Sequence, residues 1–120
     1  MFVIITKTLK MKTFYFNGYT IIAGQNSREN DMLTLGASGN DIWFHAENTP
    51  GSHVIIKDAT GITQDIIQYA AGIAADLSKA RGNANNVNVI YTNIYNVEKN
   101  RFSKAGEVTV KTFQRVRVKI

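Results

Sequence analysis

The stretch Asp41–Ile56, DIWFHAENTPGSHVII, contains the only tryptophan, the only proline and both histidines of this 120-residue chain. Two segments rich in β-branched and aromatic residues flank a polar centre, and Pro50-Gly51 within that centre favours a turn. The pattern predicts two strands, Asp41–Ala46 and His53–Lys57, joined by the turn Glu47–Ser52.

Side chains alternate along a strand, so this pair of strands has two different faces. One face is apolar and is predicted to pack in the core; it carries Ile42, Phe44, Ala46, Val54 and Ile56. The other carries Asp41, Trp43, His45, His53 and Ile55. Two interpretations of this second face are open. Either the long alanine-rich helix later in the chain or a loop covers it, which makes Trp43 a core residue and the histidines hydrogen-bonded supports, or it stays partly exposed and stacks unpaired bases.

The residues before this stretch predict a hairpin and a short helix. Thr13–Ile22 is aromatic and β-branched on both sides of Asn17-Gly18, a dipeptide that favours two-residue hairpin turns. Asn26 is a suitable N-cap, with Glu29 three residues later as a capping box requires. The helix is predicted to end near Gly36 or Gly39.

The residues after it predict the long helix of the fold. Thr63 can serve as its N-cap and Gly82 as its stop, which places Lys79 and Arg81 in the last turn, near the negative end of the helix dipole. Its apolar stripe is rich in alanine, which indicates a close approach to a sheet. A strand is predicted next, over Val87–Tyr95.

Both ends of the chain are predicted to be strands. Met1–Lys7 contains a short apolar run. At the other end, the period of two places Val116, Val118 and Ile120 on one side and Arg115, Arg117 and Lys119 on the other. The fold class expected is α+β, a single domain over residues 1–120 with one mainly antiparallel or mixed sheet, one short helix and one long helix.

The net charge of +5 is confined to one end of the chain. Residues 95–120 contain seven basic side chains and two acidic ones, which accounts for all of it. A local excess of this kind indicates a polyanion as partner. A competing explanation is that the cations only protect an edge strand from pairing with another sheet.

Composition excludes several classes of protein. The chain has no cysteine, so it has no disulfide, no thiolate metal site and no thiol nucleophile. It contains no cleavable signal pattern and no apolar run of membrane-spanning length, which favours a cytoplasmic location.

Three motifs in order, Gly24–Asp31, Asp41–Ala46 and Pro50–Ile56, resemble the NFACT-R domain. This is the RNA-binding domain of the NFACT ribosome-quality-control proteins, a group that includes bacterial members once labelled fibronectin-binding. The resemblance covers about residues 13–119. Family members often carry Arg where this chain has Gln25. Full-length members also have further domains that have no counterpart in this sequence, so a stand-alone copy of the RNA-binding domain is expected.

The resemblance implies contact with ribosomal or transfer RNA, and through it with the large ribosomal subunit, without catalysis, cofactor or metal. Together with the charge pattern, it gives a set of candidate RNA contacts. The set consists of basic residues and of Trp43, His45 and His53, which we call the Trp/His patch. They are Arg28, Trp43, His45, His53, Lys79, Arg81, Lys99, Arg101, Lys104, Lys111, Arg115, Arg117 and Lys119. The turn before Arg28 is also a candidate anion site, formed by backbone N–H groups at a helix start.

Two other functions remain open. The first is a nuclease-like enzyme that uses His45, His53 and Glu47, although a catalytic zinc needs three protein ligands and two histidines supply only part of that set. The second is a protein-interaction subunit of a larger NFACT complex.

Overall fold

The computed structural model describes residues 11–82 and 85–119, so the predicted strand Met1–Lys7 and Ile120 lie outside the described residues. The described chain forms two helices, eight strands and one 3₁₀ turn. In order, these are β1 (Lys12–Phe16), β2 (Tyr19–Ala23), α1 (Ser27–Leu35), β3 (Ile42–Ala46), β4 (Val54–Lys57), α2 (Gln64–Asp76), β5 (Asn86–Asn93), the turn Ile94–Asn96, β6 (Val97–Glu98), β7 (Thr109–Val110) and β8 (Gln114–Lys119).

Six strands form the main sheet in the order β1-β2-β4-β3-β5-β8, and β6 and β7 form a separate two-stranded ribbon. Every neighbouring pair is antiparallel, which confirms the α+β prediction. The predicted hairpin is β1-β2, where Asn17 and Gly18 have φ of 48° and 84°. Such angles suit Asn and Gly, which tolerate the left-handed region.

Helix α2 covers one face of the sheet. Four of its alanines are fully buried and pack on the apolar face of β3 and β4: Ala70, Ala71, Ala74 and Ala75. Because alanine has only a methyl side chain, the helix backbone lies close to the strands, as the alanine-rich stripe predicted.

The opposite face of the sheet is covered by α1 and by the ribbon β6-β7. Trp43 and Ile55 pack there with Leu33 of α1 and Ile94 of the 3₁₀ turn. The alternation predicted for β3 and β4 is confirmed, because Phe44 and Val54 belong to the core under α2. The protein therefore has a core on each side of one sheet.

The end predicted for α2 is wrong. The helix stops at Asp76, so Lys79 and Arg81 lie beyond it in a turn. The reason is a close contact with the Pro50-Gly51 turn: the backbone N–H of Lys79 donates to the carbonyl of Pro50 at 2.9 Å. A Cβ on Gly51 would lie 3.2 Å from Ser78, so the two segments approach more closely than a larger residue at position 51 ordinarily allows.

Both predicted N-caps occupy the cap position, but they differ in their bonds. Asn26 accepts from the backbone N–H of Glu29, as predicted. The hydroxyl of Thr63 instead donates to the carboxylate of Asp65 and makes no bond to the helix backbone.

Strand β5 ends at Asn93, two residues earlier than predicted. The side chain of Asn93 accepts from the N–H of Tyr95 and starts the 3₁₀ turn. Neither helix in the described part of the chain has the length and apolar character needed to span a bilayer.

The tight packing of α2 predicts opposite effects for two substitutions in the same helix. Ala74→Leu is expected to lower the free energy of unfolding by about 1–3 kcal/mol, because extra carbons must fit against the sheet. Gly72→Ala is expected to raise it by roughly 0.5–1 kcal/mol, since glycine in a helix interior carries an entropic cost. The new methyl group meets nothing within 4 Å. Chemical denaturation measures both, and equal effects would contradict the packing described.

Candidate nucleic-acid interface

His53 is the centre of the face opposite α2. Its Nδ1 lies 2.7 Å from Oγ1 of Thr34 and 3.2 Å from Nε1 of Trp43. Its Nε2 lies 3.0 Å from the carbonyl oxygen of Gly106. One ring thus joins α1, β3, β4 and the loop before β7.

These partners determine the protonation state of the ring. The indole N–H of Trp43 can only donate, so Nδ1 of His53 is an acceptor. The carbonyl of Gly106 can only accept, so Nε2 carries the proton. The hydroxyl of Thr34 then donates to Nδ1. A doubly protonated ring would place an N–H against that of Trp43, so this site holds neutral histidine.

Burial has the largest effect on the pKa of His53 and lowers it to about 4, and the neighbouring His45 contributes to the same shift. Burial also lowers the pKa of His45, while hydrogen bonds to the carbonyls of Ala46 and Gly51 oppose that effect. The two rings meet edge to face with centroids 5.4 Å apart.

The Trp/His patch is mostly covered. Trp43 and His53 are each 2% exposed, so neither ring has a face open to a base in this structure. The geometry matches the alternative in which Trp43 is a core residue and His53 a hydrogen-bonded support. The covering elements are α1 and the loop that contains Gly106, whereas the alanine-rich helix covers the other face.

His45 is the member of the patch that keeps some exposure. It lies in a cleft of about 470 Å³ between the sheet and the segment before β8, which we call the His45 cleft. Its walls include Ile90, Val110 and Phe113, together with the carboxylates of Glu47 and Glu107. The carboxylate of Glu107 disfavours a phosphate group in this cleft, whereas that of Glu47 is paired with Arg115.

Lys99 is a structural residue and not an exposed cation. Its side chain is 17% exposed and its Nζ lies 3.3 Å from Oδ1 of Asp31. It also donates to the carbonyls of Lys104 and Glu107. Asp31 accepts in addition from the N–H of Gly106 at 2.9 Å. The ammonium group thus fastens the loop over His53 to α1, so its predicted role as a phosphate contact is not supported by its position.

Strand β8 has the alternation that the sequence predicted. Val116 and Val118 are half-buried toward α2, while Arg115, Arg117 and Lys119 are exposed. The strand pairs only with β5 among the described residues, so it forms an edge of the sheet.

Arg115 differs from its two neighbours because it is already paired. Its Nε and a terminal nitrogen of the guanidinium bind the two carboxylate oxygens of Glu47 at 2.8 and 2.6 Å. The hydrogen bond from Arg115 is the largest cause that lowers the pKa of Glu47. A bidentate pair of this kind holds the guanidinium in one orientation.

Apart from Lys79, the other candidate cations fall into two groups. Lys111 pairs with Glu98 at 2.7 Å and Arg81 with Asp76 at 3.3 Å, both on the exposed surface. The second group is exposed and has no acidic partner within the described residues; it consists of Arg28, Arg101, Lys104, Arg117 and Lys119. Lys79 is exposed and is held by its backbone at the turn after α2.

The start of α1 already holds an anion from its own chain. The carboxylate of Glu29 accepts from the backbone N–H of Gln25 at 2.9 Å, and Glu29 is 5% exposed. One backbone N–H group of this turn is therefore already paired with a carboxylate, which supplies the charge that the helix dipole favours. The anion site expected before Arg28 stays a prediction.

The groups of the hypothetical enzyme are each engaged in a structural contact. His53 uses both ring nitrogens, His45 bonds the carbonyl of Ala46, and Glu47 is paired with Arg115. Asp41, a carboxylate just before β3 that could have completed a metal site, is buried and binds Lys57 at 2.7 Å. Across residues 11–82 and 85–119, no three His, Asp or Glu side chains are grouped as a metal ion requires.

Two exposed aromatic residues were missed by the sequence analysis. Phe102 is 85% exposed and Phe113 is 41% exposed. The guanidinium of Arg101 lies 5.3 Å from the centroid of Phe102, and that of Arg115 lies 5.4 Å from the centroid of Phe113. The sequence signal that could have identified them is an aromatic residue within two positions of an arginine, which occurs at both places in the basic residues 95–120.

Comparison with known proteins gives a family match over most of the chain. The family model described as the NFACT protein RNA binding domain matches residues 7–112. The chain is 44% identical over 94 residues to the "Rqc2 homolog RqcH" of Bacillus subtilis, which covers 78% of this chain and 16% of that protein.

More distant relatives and a solved structure agree with this match. The "Coiled-coil domain-containing protein 25" of Bos taurus is 29% identical over 107 residues, covering 79% of this chain and 51% of that protein. A solved structure of the C-terminal part of the fibronectin/fibrinogen-binding protein from Streptococcus suis has a TM-score of 0.88 and 34% identity. It covers 98% of this chain and 48% of that one. The chain thus spans about half or less of the length of these relatives.

The buried neutral state of His53 predicts a loss of stability in mild acid. The pKa is about 4 in the folded protein and roughly 6.5 in the unfolded chain. Between these values the unfolded chain binds more protons, so stability present above pH 6.5 falls as the pH is lowered toward 4. The expected loss is on the order of 3 kcal/mol, measured from thermal unfolding at stepped pH.

The control for this experiment is a pair of histidine variants. His53→Gln is expected to be less stable at pH 7 but to lose most of the pH dependence, whereas His45→Gln should keep most of it. Stability that falls equally steeply with pH in the wild type and in His53→Gln between pH 6.5 and 4.5 would contradict the assignment of this pH dependence to His53.

The contacts of Lys99 predict that its substitution weakens the fold. Lys99→Met should lower the free energy of unfolding by about 1–3 kcal/mol, because Asp31 and two carbonyls lose the charged donor that they share. Lys104→Met is the matched control, since Lys104 is exposed and its side chain has no partner within the described residues; its effect should stay within roughly 0.5 kcal/mol. Urea unfolding measures both, and similar losses would rule out a special role for Lys99.

Proposed function

Because the chain belongs to the NFACT RNA-binding domain family, we propose that it is a non-catalytic module that binds ribosomal or transfer RNA. The main support is the exposed cationic face of β8. Arg117 and Lys119 extend from the edge of the sheet without an acidic partner among the described residues. Cations held in a row on a rigid strand suit the regular spacing of phosphates along a nucleic-acid backbone.

The loop between β6 and β7 adds a second element to the proposed interface. The turn at its tip is closed by a hydrogen bond from the N–H of Ser103 to the carbonyl of Asn100 at 2.9 Å. It presents Phe102, with Arg101 beside the ring, and Lys104 follows. An exposed ring next to cations is the combination that binds unpaired bases, which stack on aromatic side chains.

The charges of β8 go beyond protection of an edge strand. One or two lysines are enough to prevent pairing with another sheet. Here the strand has three cations on one face, and the loop containing Lys104 covers the same side of the sheet through Gly106 and His53. Phosphate binding accounts for this number of cations on one face, and the same cations also keep the edge strand from pairing with another sheet.

The proposal of a module without catalysis rests on the state of the ionisable groups. Catalysis of RNA cleavage requires a base and an acid that are free to exchange protons with the substrate. His53 is sealed between Trp43, Thr34 and Gly106, and Glu47 is neutralised by Arg115. These contacts favour a scaffold role for the conspicuous His/Glu cluster.

The biological setting we propose is ribosome-associated quality control in the cytoplasm, with the large ribosomal subunit as the wider partner. The support is the similarity to RqcH, of which this chain spans 16%. Because the chain spans only this part of the relative, the activity proposed for it is limited to the RNA contact.

Neutralising β8 should weaken binding to a structured RNA and reduce its dependence on salt. For the double variant Arg117→Gln with Lys119→Gln, the slope of log affinity against log salt is expected to fall by roughly 0.7–0.9 for each phosphate that the variant no longer neutralises. Fluorescence anisotropy with a labelled ribosomal or transfer RNA hairpin, at several salt concentrations, measures this.

The matched control is Lys12→Gln, which removes one charge from β1 at the opposite edge of the same sheet. It should leave the slope unchanged, whereas Lys119→Gln alone should lower it. Identical slopes for these two single variants would overturn the assignment of β8. The RNA recovered after incubation should be full length, and chelator-sensitive cleavage would instead favour the enzyme.

A further inference from the structure

We propose that a neutral pocket at the start of β8 binds a single unpaired nucleobase of the RNA, an inference that rests on the RNA-binding function proposed above. The pocket, here called the amide pocket, has a volume of about 580 Å³. This lies within the range of roughly 300–1,000 Å³ that is typical of small-ligand sites. Its lining includes Asn40, Tyr91, Asn93, Asn96, Phe113 and Gln114.

The chemistry of this lining selects the kind of ligand. None of the lining residues carries a formal charge, so a phosphate, a carboxylate or an ammonium would lose its hydration without gaining a partner of opposite charge. Amide side chains offer one acceptor and two donors in a plane. The edges of nucleobases offer the same groups, and asparagine and glutamine are frequent partners of bases.

Part of this lining is fixed in orientation by the protein itself. Asn96 donates from Nδ2 to Oγ1 of Thr92 at 2.9 Å, and Asn40 donates from Nδ2 to Oγ1 of Thr60 at 3.0 Å. Their carbonyl oxygens are therefore held in place as acceptors. Amides that are already oriented cost less entropy when they bind a ligand.

Other polar groups of the pocket have no partner in the part of the chain that the structure describes. These are the hydroxyl of Tyr91, the hydroxyl of Thr112 and the side-chain amide of Gln114. The ring of Tyr91 is itself fixed, since it stacks on Phe44 with centroids 5.4 Å apart and an angle of 19°. Donors and acceptors on fixed supports around an aromatic ring suit a flat, polar-edged ligand.

Phe113 connects this pocket to the basic side of the domain. It lines both the amide pocket and the His45 cleft, so the two depressions meet at its ring. Arg115 lies against that ring and is itself clamped by Glu47. The aromatic ring is thus backed by a fixed guanidinium and forms a firm wall on which a base can stack.

The path of the RNA backbone follows from the strand that begins at this wall. Gln114 faces the pocket on the α2 side, and Arg117 lies three residues later, about 10 Å further along the strand. Because β8 is an edge strand, both are reached from the same rim of the sheet. A base can therefore enter the neutral pocket while the phosphates on one side of it contact Arg117 and Lys119.

The test uses two RNA hairpins that differ by one bulged nucleotide, with 2-aminopurine at the bulge as a fluorescent adenine analogue. The wild type is expected to bind the bulged hairpin on the order of tenfold more tightly than the fully paired one, and the 2-aminopurine signal should change on binding. Phe113→Ala and Gln114→Ala should each remove most of this preference and the signal change, while the affinity for the paired hairpin and its salt dependence stay as in the wild type.

Two controls separate the pocket from the basic strand. Tyr95→Ala removes an aromatic ring that is 72% exposed and is not part of the pocket lining, so the preference should survive. The double variant of Arg117 and Lys119 should bind both hairpins more weakly and keep the ratio between them. Thermal unfolding of each variant confirms that the domain is folded.

The possible failures are distinguishable. Equal wild-type affinity for both hairpins, or an unchanged preference in both Phe113→Ala and Gln114→Ala, overturns the pocket and leaves the RNA-binding proposal in place. A wild type that binds neither hairpin at low salt overturns both.

Discussion

The hydrogen bonds of the His53 ring are the contact on which the rest of this structure depends. Nδ1 accepts hydrogen bonds from the indole N–H of Trp43 and the hydroxyl of Thr34, and Nε2 donates one to the carbonyl of Gly106. One imidazole therefore holds β3, α1 and the loop before β7 together. The bonds are mutually consistent only for one neutral tautomer. Because the site is buried, an incorrect protonation state carries a large free-energy cost, and the arrangement is specified tightly.

This central contact explains why the conspicuous residues of the chain and its proposed binding residues are different. The Trp/His patch is used to hold α1 and the β6-β7 segment on the sheet, which leaves Phe102, Phe113 and the cations of β8 at the surface. Sealing a polar cluster gives a rigid support, and rigid supports hold charges at fixed spacing. A fixed row of cations loses little entropy when it meets a phosphate backbone.

Charge pairing inside the domain also sorts the basic residues. The sequence showed seven cations near the end of the chain, but they have different surroundings. Lys99 holds the loop over His53, Lys111 and Arg115 have carboxylate partners, and Arg117 and Lys119 extend from an edge strand without an acidic partner in the described part of the chain. The carboxylates concerned are far away in sequence or on another strand, so no local pattern could assign these partners.

Local sequence patterns were enough to predict the strands β3 and β4, their two faces, the hairpin at Asn17-Gly18, the start of α1 and the alternation of β8. These features depend on local rules, namely side-chain period, turn chemistry and capping, which act over a few residues. Three other features could not be predicted in this way: α2 stops at Asp76, Trp43 is covered, and Phe113 lies where two depressions meet. Each of these depends on contacts between segments distant in sequence, such as Gly51 with Ser78 or His53 with Gly106. A pattern along one strand or helix carries no record of what packs against it.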